Sequence, residues 1–165
     1  RGVPDPAHRS GPRMKFAQTA SAIIMGVDAH IIDVEAHLAD GLVGTSITGL
    51  ADTSVSEARD RVRAAVATTG YPWPQQRITV GLSPAWLPKR GSALDLAIAL
   101  AVLAADGKVD SRRLHRTVVV GELGLDGTVR AVRGVLPTTM AAKRWGFLSV
   151  IVPISNAAEI GRAHV

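Results

Sequence analysis

The chain has 165 residues, of which 47% are hydrophobic, and this length fits one globular domain with a single sizeable core. The absence of cysteine excludes disulfides, thiolate nucleophiles and cysteine-rich zinc sites. The formal net charge of +5 permits contact with nucleic acid through phosphate neutralisation but does not establish it.

Apolar run length and the composition of residues 1–13 indicate where the protein is located and where its domain begins. The longest apolar runs are shorter than the roughly 20 residues of a membrane helix, and no secretory signal opens the sequence. We therefore expect a cytoplasmic protein without a membrane partner. Residues 1–13, rich in Pro, Gly and Arg, predict a disordered leader or a remnant irrelevant to the fold. Residues 14–165 are then a single domain.

The first predicted elements are strands. Residues 16–26 are largely apolar, and residues 29–39 alternate apolar and polar side chains with a period of two, so they predict a hairpin with Val27 and Asp28 between its strands. Residues 44–50 are rich in β-branched side chains and predict a third strand.

A helix is predicted next. Ser54 and Glu57 form an S-x-x-E capping box, and the apolar residues after them share one helical face up to Gly70. The prolines of the next segment cannot continue a helix, and a strand is predicted over Arg77–Ser83.

The second half of the chain repeats these signals. Ser92 and Asp95 form another capping pattern before a nearly continuous apolar run at residues 94–105, which predicts a buried helix. A strand at residues 117–121 is predicted to return through the Asp126-Gly127 turn into residues 128–132.

The last predicted elements complete a layered fold. Residues 136–145 predict a helix with Lys143 and Arg144 in its last turn, and residues 148–152 predict a buried strand. Asn156 is a candidate cap for a final helical turn. The alternation of strands and helices indicates a layered α/β or α+β domain.

Four ordered motifs carry a family resemblance. They are GLADTSVSEARDRVRAAV at residues 49–66, RITVGLSPAWLPKRGSALDLAIAL at 77–100, GELGLDGTVRAVRGVLP at 121–137 and VIVPISNAAE at 150–159. Together they resemble the N-terminal domain of ComM-type, YifB-like, magnesium-chelatase-like AAA+ ATPases. The resemblance implies the fold shared by Lon-type protease domains and the second domain of a small-subunit ribosomal protein, a mixed sheet packed with helices.

The same resemblance implies that the protease chemistry is missing. Lon-type proteases carry a P-K-x-G-P-S-A-G loop with a nucleophilic serine, and alignment from Pro88 places Ala93 at that position. Their lysine, in a G-x-V-x-x-x-x-G-x-K pattern, aligns with Leu136. Neither side chain can transfer a proton or attack a carbonyl. Ser92 is expected to serve as a helix cap and so not to replace the nucleophile. Lys143 lies about 10.5 Å along the helix from Leu136, at about 1.5 Å per residue, and is too far away to replace the missing base.

No cofactor is expected in this chain. The sequence has no G-x-x-x-x-G-K-[ST] phosphate loop, so it should not bind ATP by itself. The family resemblance implies an ATPase module C-terminal to this domain, and we expect ATP and magnesium only there. The five histidines lack metal-site spacing, which argues against a role in metal insertion.

The remaining candidate site is basic. Arg59 and Arg63 lie four residues apart on one predicted helix, where Asp60 and Glu57 are near enough to compensate them. The helix is either a self-compensated solvated surface or a contact with DNA or a neighbouring subunit. Similar candidates at turns, expected to be exposed to water, are Lys89, Arg90, Arg130 and Arg133.

These observations favour a noncatalytic accessory domain. The resemblance implies partners among the other domains or subunits of an ATPase ring, and possibly DNA, in a branch-migration motor of natural transformation. The parent protein is then an ATPase, although this chain alone is not an enzyme. The alternative is a free-standing basic nucleic-acid-binding module, which salt dependence of binding would reveal.

Overall fold

A computed structural model describes residues 15–161, which form a six-stranded mixed sheet, a small two-stranded sheet and four helices. The strands are β1 Lys15–Met25, β2 Asp28–Ala39, β3 Gly44–Thr48, β4 Arg77–Ser83, β5 Thr117–Val119, β6 Glu122–Leu123, β7 Val129–Arg130 and β8 Ser149–Ile151. The helices are α1 Asp52–Thr68, α2 Asp95–Ala105, α3 Val135–Arg144 and α4 Ala157–Gly161. The predicted leader lies outside the described residues, and the span of one domain over 14–165 stays a prediction.

The predicted β1–β2 hairpin is confirmed and forms the centre of the large sheet. The two strands pair antiparallel from Lys15↔Leu38 to Met25↔Asp28. The turn lies one residue earlier than expected, because Gly26 has a φ of 64° that glycine adopts without steric cost. The sheet order is β3-β4-β2-β1-β5-β8, with parallel pairs at β3–β4, β1–β5 and β5–β8. The predicted mixed sheet packed with helices is confirmed.

Helices cover both faces of this sheet. On one face, alternate β2 residues such as Val34 and Leu38 are fully buried in a core shared with α1 and α2. Burying side chains of this size stabilises the fold by about 1.5–3 kcal/mol each. On the other face, Ala20 and Ala22 of β1 pack with Ala142 of α3 in a smaller cluster. The period of two in β2 and the buried α2 were both correctly predicted.

Both predicted capping boxes are wrong. Helix α1 begins two residues before Ser54, and Ala51 stands at its N-cap without a side-chain hydrogen bond. Helix α2 begins at Asp95, so that Ser92 lies outside the helix, and its carbonyl rather than its hydroxyl accepts the Asp95 N–H at 3.1 Å. The S-x-x-E and S-x-x-D spacings are therefore present without the side-chain caps that they predict.

The predicted hairpin around Asp126 and Gly127 is also partly wrong. The turn exists, but it joins β6 to β7, with register Glu122↔Arg130 and Leu123↔Val129. Strand β5 instead joins the large sheet, where it pairs in parallel with β1 and β8. Parallel partners lie far apart in the sequence, so a local turn signal cannot reveal them.

The expectation of a buried strand at residues 148–152 is wrong. Strand β8 is shorter and forms an edge of the sheet, and Leu148 before it is 76% exposed. An apolar run predicts burial only when another element covers it. Among the described residues, no further strand pairs with β8 on its outer side.

Candidate functional site

The six predicted basic residues do not form one surface. Arg90 and Arg133 line a groove at the end of β1, and Arg130 lies beside that groove. Arg59 and Arg63 line a separate cleft beside α1. The sixth residue, Lys89, is buried.

The expectation that Lys89 is exposed to water is wrong. Its side chain is 1% exposed, and its ammonium donates hydrogen bonds to the carbonyl oxygens of Gly49 at 3.1 Å, Leu87 at 2.9 Å and Pro84. Three acceptors match the three donors of an ammonium group. Burial lowers the pKa of Lys89. A side chain held in this way cannot reach a phosphate or a neighbouring subunit, so Lys89 braces the loop that carries Arg90.

The groove lies beside the motif at residues 88–93. It has a volume of about 570 Å³ and combines apolar side chains from β1 with polar groups from the loops around it. Its lining comprises Ile23, Ile24, Met25, Pro88, Arg90, Gly91, Ser92, Ala93, Glu122, Ala131, Val132 and Arg133.

A short polar chain crosses one wall of the groove. The Ser92 hydroxyl donates a hydrogen bond to the Glu122 carboxylate. The other carboxylate oxygen of Glu122 lies 3.7 Å from the Arg130 guanidinium. Arg130 is therefore weakly paired within the chain, and the Ser92 hydroxyl is directed at a carboxylate rather than at an imidazole or an amine.

The two positions that align with the protease dyad lie at different places. Ala93 is half-buried and lines the groove, and its carbonyl accepts the Gly121 N–H at 3.0 Å. Leu136 lies in the first turn of α3, is 38% exposed, and is not among the residues that line the groove.

The wall formed by residues 131–133 is held by a side chain with a role that was not predicted. Asn156 is 3% exposed and accepts the Val132 N–H at 3.0 Å while donating to the Val132 carbonyl at 2.9 Å. It is therefore a clamp on this segment and not the predicted N-cap. Gly134 follows, with a φ of 77° and with Ile24 against it so closely that a Cβ would meet Ile24 Cγ1 at 2.4 Å.

The cleft beside α1 holds the predicted arginine pair. Arg63 is exposed, and Arg59 lies 3.7 Å from Asp60, which confirms one of the two compensating contacts. Glu57, however, approaches Arg61 at 3.9 Å rather than Arg59. The cleft, of about 300 Å³, is closed by residues of the β3 start and of the segment 73–76. Two guanidinium groups thus border it, one of them weakly paired.

Sequence reasoning missed the strongest ion pair near the site. Arg61 of α1 donates to both carboxylate oxygens of Asp95, at 2.8 Å and 3.0 Å, and the Leu123 N–H donates to the same carboxylate at 3.3 Å. Burial raises the pKa of Asp95, and the hydrogen bonds from Arg61 and Leu123 oppose that rise. The pair fixes the start of α2 relative to α1 and β6. No local pattern distinguishes Arg61 from its neighbours Arg59 and Arg63.

Residues 15–161 also bear on metal binding and on membrane insertion. In this range, no group of three or more His, Asp or Glu side chains is arranged to hold a metal ion. Within the same range, no helix has the length and apolar character needed to cross a membrane.

Comparison with known proteins gives consistent matches over most of the chain. The family model for subunit ChlI of Mg-chelatase matches residues 34–156. The chain is 49% identical over 146 residues to "Uncharacterized protein Rv2897c" of Mycobacterium tuberculosis, covering 88% of this chain and 29% of that protein.

Two named relatives match at similar length. YifB of Salmonella typhimurium is 43% identical over 148 residues, covering 90% of this chain and 29% of that protein. Competence protein ComM of Haemophilus influenzae is 42% identical over 146 residues, covering 88% of this chain and 28% of that protein. The chain therefore spans less than a third of the length of these relatives.

A more distant similarity agrees with the fold. Lon protease of Finegoldia magna is 27% identical over 138 residues, covering 79% of this chain and 17% of that protein. The mixed sheet with helices on both faces is consistent with this relationship. The chain belongs to the family of the magnesium-chelatase subunit ChlI, and within that family it is similar to the YifB and ComM proteins.

Proposed function

We propose that this chain is a noncatalytic accessory domain of a magnesium-chelatase-like AAA+ ATPase. It acts by contact, supporting ring assembly or DNA engagement, and not by turnover. Family membership supports the proposal, and so does the chain's span of about 29% of its longer relatives. We also propose that the longer protein is a DNA branch-migration motor of natural transformation in the cytoplasm; of these points, similarity to a competence protein supports the link to natural transformation.

The observation that carries the proposal is the chemistry of the groove wall. Ala93, which aligns with the nucleophile of Lon-type proteases, presents a methyl group, and Leu136 aligns with the lysine base. The neighbouring hydroxyl of Ser92 donates to Glu122, whose other carboxylate oxygen lies 3.7 Å from the Arg130 guanidinium. A serine nucleophile needs a base that accepts its proton at the operating pH, together with donors for the oxyanion. This arrangement favours binding over hydrolysis.

A serine-directed fluorophosphonate probe tests the absence of peptidase chemistry. We expect no labelling of the wild-type chain under conditions that label an active Lon protease. The matched variants are Ser92→Ala and Ser83→Ala, which each remove one hydroxyl. Labelling of the wild type that is lost in Ser92→Ala and kept in Ser83→Ala would contradict the noncatalytic role.

The rest of the proposal concerns the longer protein. We propose that ATP and magnesium are bound outside this chain, by an ATPase module, and that this chain needs no cofactor. ATP binding by the isolated chain, measured by calorimetry with magnesium present, would contradict this division. The expected result is binding to the complete protein and no heat signal from the isolated chain.

A second candidate is a free-standing nucleic-acid-binding module, which the exposed arginines and the net charge of +5 favour. In that case binding to a DNA duplex weakens steeply between low and physiological salt. Arg59→Ala with Arg63→Ala should lower the slope of log K against log salt by about 2. Lys108→Ala with Arg113→Ala makes the same charge change elsewhere and should leave the slope unchanged. Absence of binding at low salt rejects this candidate.

A further inference from the structure

One edge of β1 is open where it borders the groove. Strand β2 pairs with β1 along its whole length, but the register of β1 with β5 on the other side consists of Ala20↔Val118. Val120 still donates its N–H to the Ile151 carbonyl of β8, and the chain then turns toward the loop before α2, where the Gly121 N–H bonds to the Ala93 carbonyl. Residues 23–25 therefore extend past the end of β5 along the groove. A strand edge of this kind can pair with an extended backbone.

The groove also carries a positive charge that the chain does not balance. Arg90 and Arg133 are both exposed and both line the groove. No carboxylate among the described residues lies within ion-pair distance of either guanidinium, whereas Arg130 is paired with Glu122. Guanidinium groups bind carboxylates in a planar, two-pronged geometry. The two unpaired guanidinium groups are therefore suited to binding an acidic ligand.

The floor of the groove distinguishes among acidic ligands. Its β1 side is apolar, formed by Ile23, Ile24 and Met25, with Met25 42% exposed. No aromatic side chain lines the groove, so bases would lack a stacking surface. Alternating apolar and acidic side chains on an extended peptide match this floor and these cations.

We infer that the groove binds an extended acidic peptide segment of a partner protein, which adds a strand to the open edge of β1 and places its carboxylates on Arg90 and Arg133. The inference rests on the proposed function, since a hydrolytic groove would cut the segment it binds. Ala93 and Ser92 then form the wall against which the bound backbone lies.

Fluorescence anisotropy with defined probes tests the inference. The probe is a labelled peptide of about seven residues with alternating Glu and Val, long enough to cross the groove at about 3.3 Å per residue. A Lys and Val peptide and a single-stranded oligonucleotide of equal length are the comparison probes. We expect saturable binding of the acidic peptide and none of the basic one. Failure of the acidic peptide to bind at about 1 mM, or tighter binding of the oligonucleotide, overturns the inference.

Paired variants locate the binding. Arg90→Ala with Arg133→Ala should weaken the acidic peptide by about tenfold, as expected for the loss of two charged contacts. Arg59→Ala with Arg63→Ala removes the same charge outside the groove and should change the affinity by less than about twofold. Ala131→Trp, at an exposed position of the lining, should block the groove without changing charge. Equal weakening by both arginine pairs would show general charge attraction and overturn the inference.

Nuclear magnetic resonance of the wild-type chain locates the binding site without relying on the folding of any variant. Amide shifts on peptide addition should concentrate at residues 22–25, 90–93 and 131–133. Shifts elsewhere overturn the inference. Mass spectrometry of the peptide after incubation separates the two proposals: a peptide that binds and is cleaved contradicts the noncatalytic role, whereas one that neither binds nor is cleaved contradicts this inference alone.

Discussion

The guanidinium of Arg61 forms two parallel hydrogen bonds with the carboxylate of Asp95, at 2.8 Å and 3.0 Å, although the two residues lie 34 positions apart. Asp95 is 1% exposed, so its carboxylate depends on protein partners rather than on water. The pair joins α1 to the first turn of α2, where a negative charge also interacts favourably with the helix dipole. It sets the position of the loop at residues 88–93 that forms one wall of the groove.

Asp95→Asn should lower the free energy of unfolding by about 1.5–3 kcal/mol, because asparagine keeps one acceptor oxygen for Arg61 but loses the negative charge and the second acceptor inside the protein. Asp60→Asn is the matched control, since Asp60 is exposed and only weakly paired with Arg59. Its effect should stay within about 0.5 kcal/mol. Urea unfolding measures both, and equal effects would contradict a structural role for the Arg61–Asp95 pair.

Lys89→Met should lower the free energy of unfolding by about 2–4 kcal/mol, because the carbonyls of Gly49, Pro84 and Leu87 lose their donor. Methionine keeps a similar length, which separates the loss of hydrogen bonds from a loss of volume. Arg90→Met is the control at the next, exposed position and should change stability by no more than about 0.5 kcal/mol. A small effect at Lys89 would indicate that its carbonyl partners do not depend on it.

Gly134→Ala and Gly146→Ala form a matched pair, since both glycines have a φ of 77°. At Gly146 a Cβ would have Arg116 Nη2 at 3.7 Å, so we expect the left-handed conformation to cost about 1–2 kcal/mol. At Gly134 the Cβ would also overlap Ile24 Cγ1, at 2.4 Å, and the loss should be larger. Thermal unfolding of both variants tests this order. Equal losses would mean that Ile24 moves aside freely.

The contribution of Asp126 to the stability of the folded chain depends on pH. Hydrogen bonds from the Thr128 hydroxyl and backbone hold the pKa of Asp126 below its ordinary value. A depressed folded-state pKa means that the contribution is present above the unfolded pKa of about 3.9 and is lost as the pH falls through the folded-state value. The difference in melting temperature between wild type and Asp126→Asn should therefore be constant from pH 7 down to the unfolded pKa of about 3.9 and shrink below it. Thr128→Ala, which removes the hydroxyl donor, should make this difference smaller. A difference independent of pH would contradict this role.

The fold was largely predictable because its main signals are local. The alternation in β2 and the apolar run of α2 predict elements whose burial the structure confirms. The start of each helix was less predictable, because the capping patterns at Ser54 and Ser92 are local, whereas the helix starts also depend on contacts with distant segments. Helix α1 begins before Ser54, and the Ser92 hydroxyl donates to Glu122, a residue 30 positions away.

The candidate site was predictable in its motifs but not in its geometry. The sequence around Pro88 identifies the loop, and it shows alanine and leucine at the positions that align with a protease dyad. It does not show that Arg90 and Arg133 share a groove, or that Arg130 is already paired. Those relationships depend on the β6–β7 turn and on Asn156, whose amide holds residue 132 from 24 positions away.

The amino-acid sequence by itself determined the family, the order of the elements and the apolar faces, since these follow from side-chain periodicity and from motifs within a few residues. The tertiary structure alone decided which polar groups are buried and which are free. The sequence around Lys89 is typical of an exposed turn. In the folded chain, however, its ammonium is buried and donates to the carbonyl of Gly49, 40 residues away. Burial and charge pairing depend on contacts between distant segments, and those contacts exist only in the folded chain.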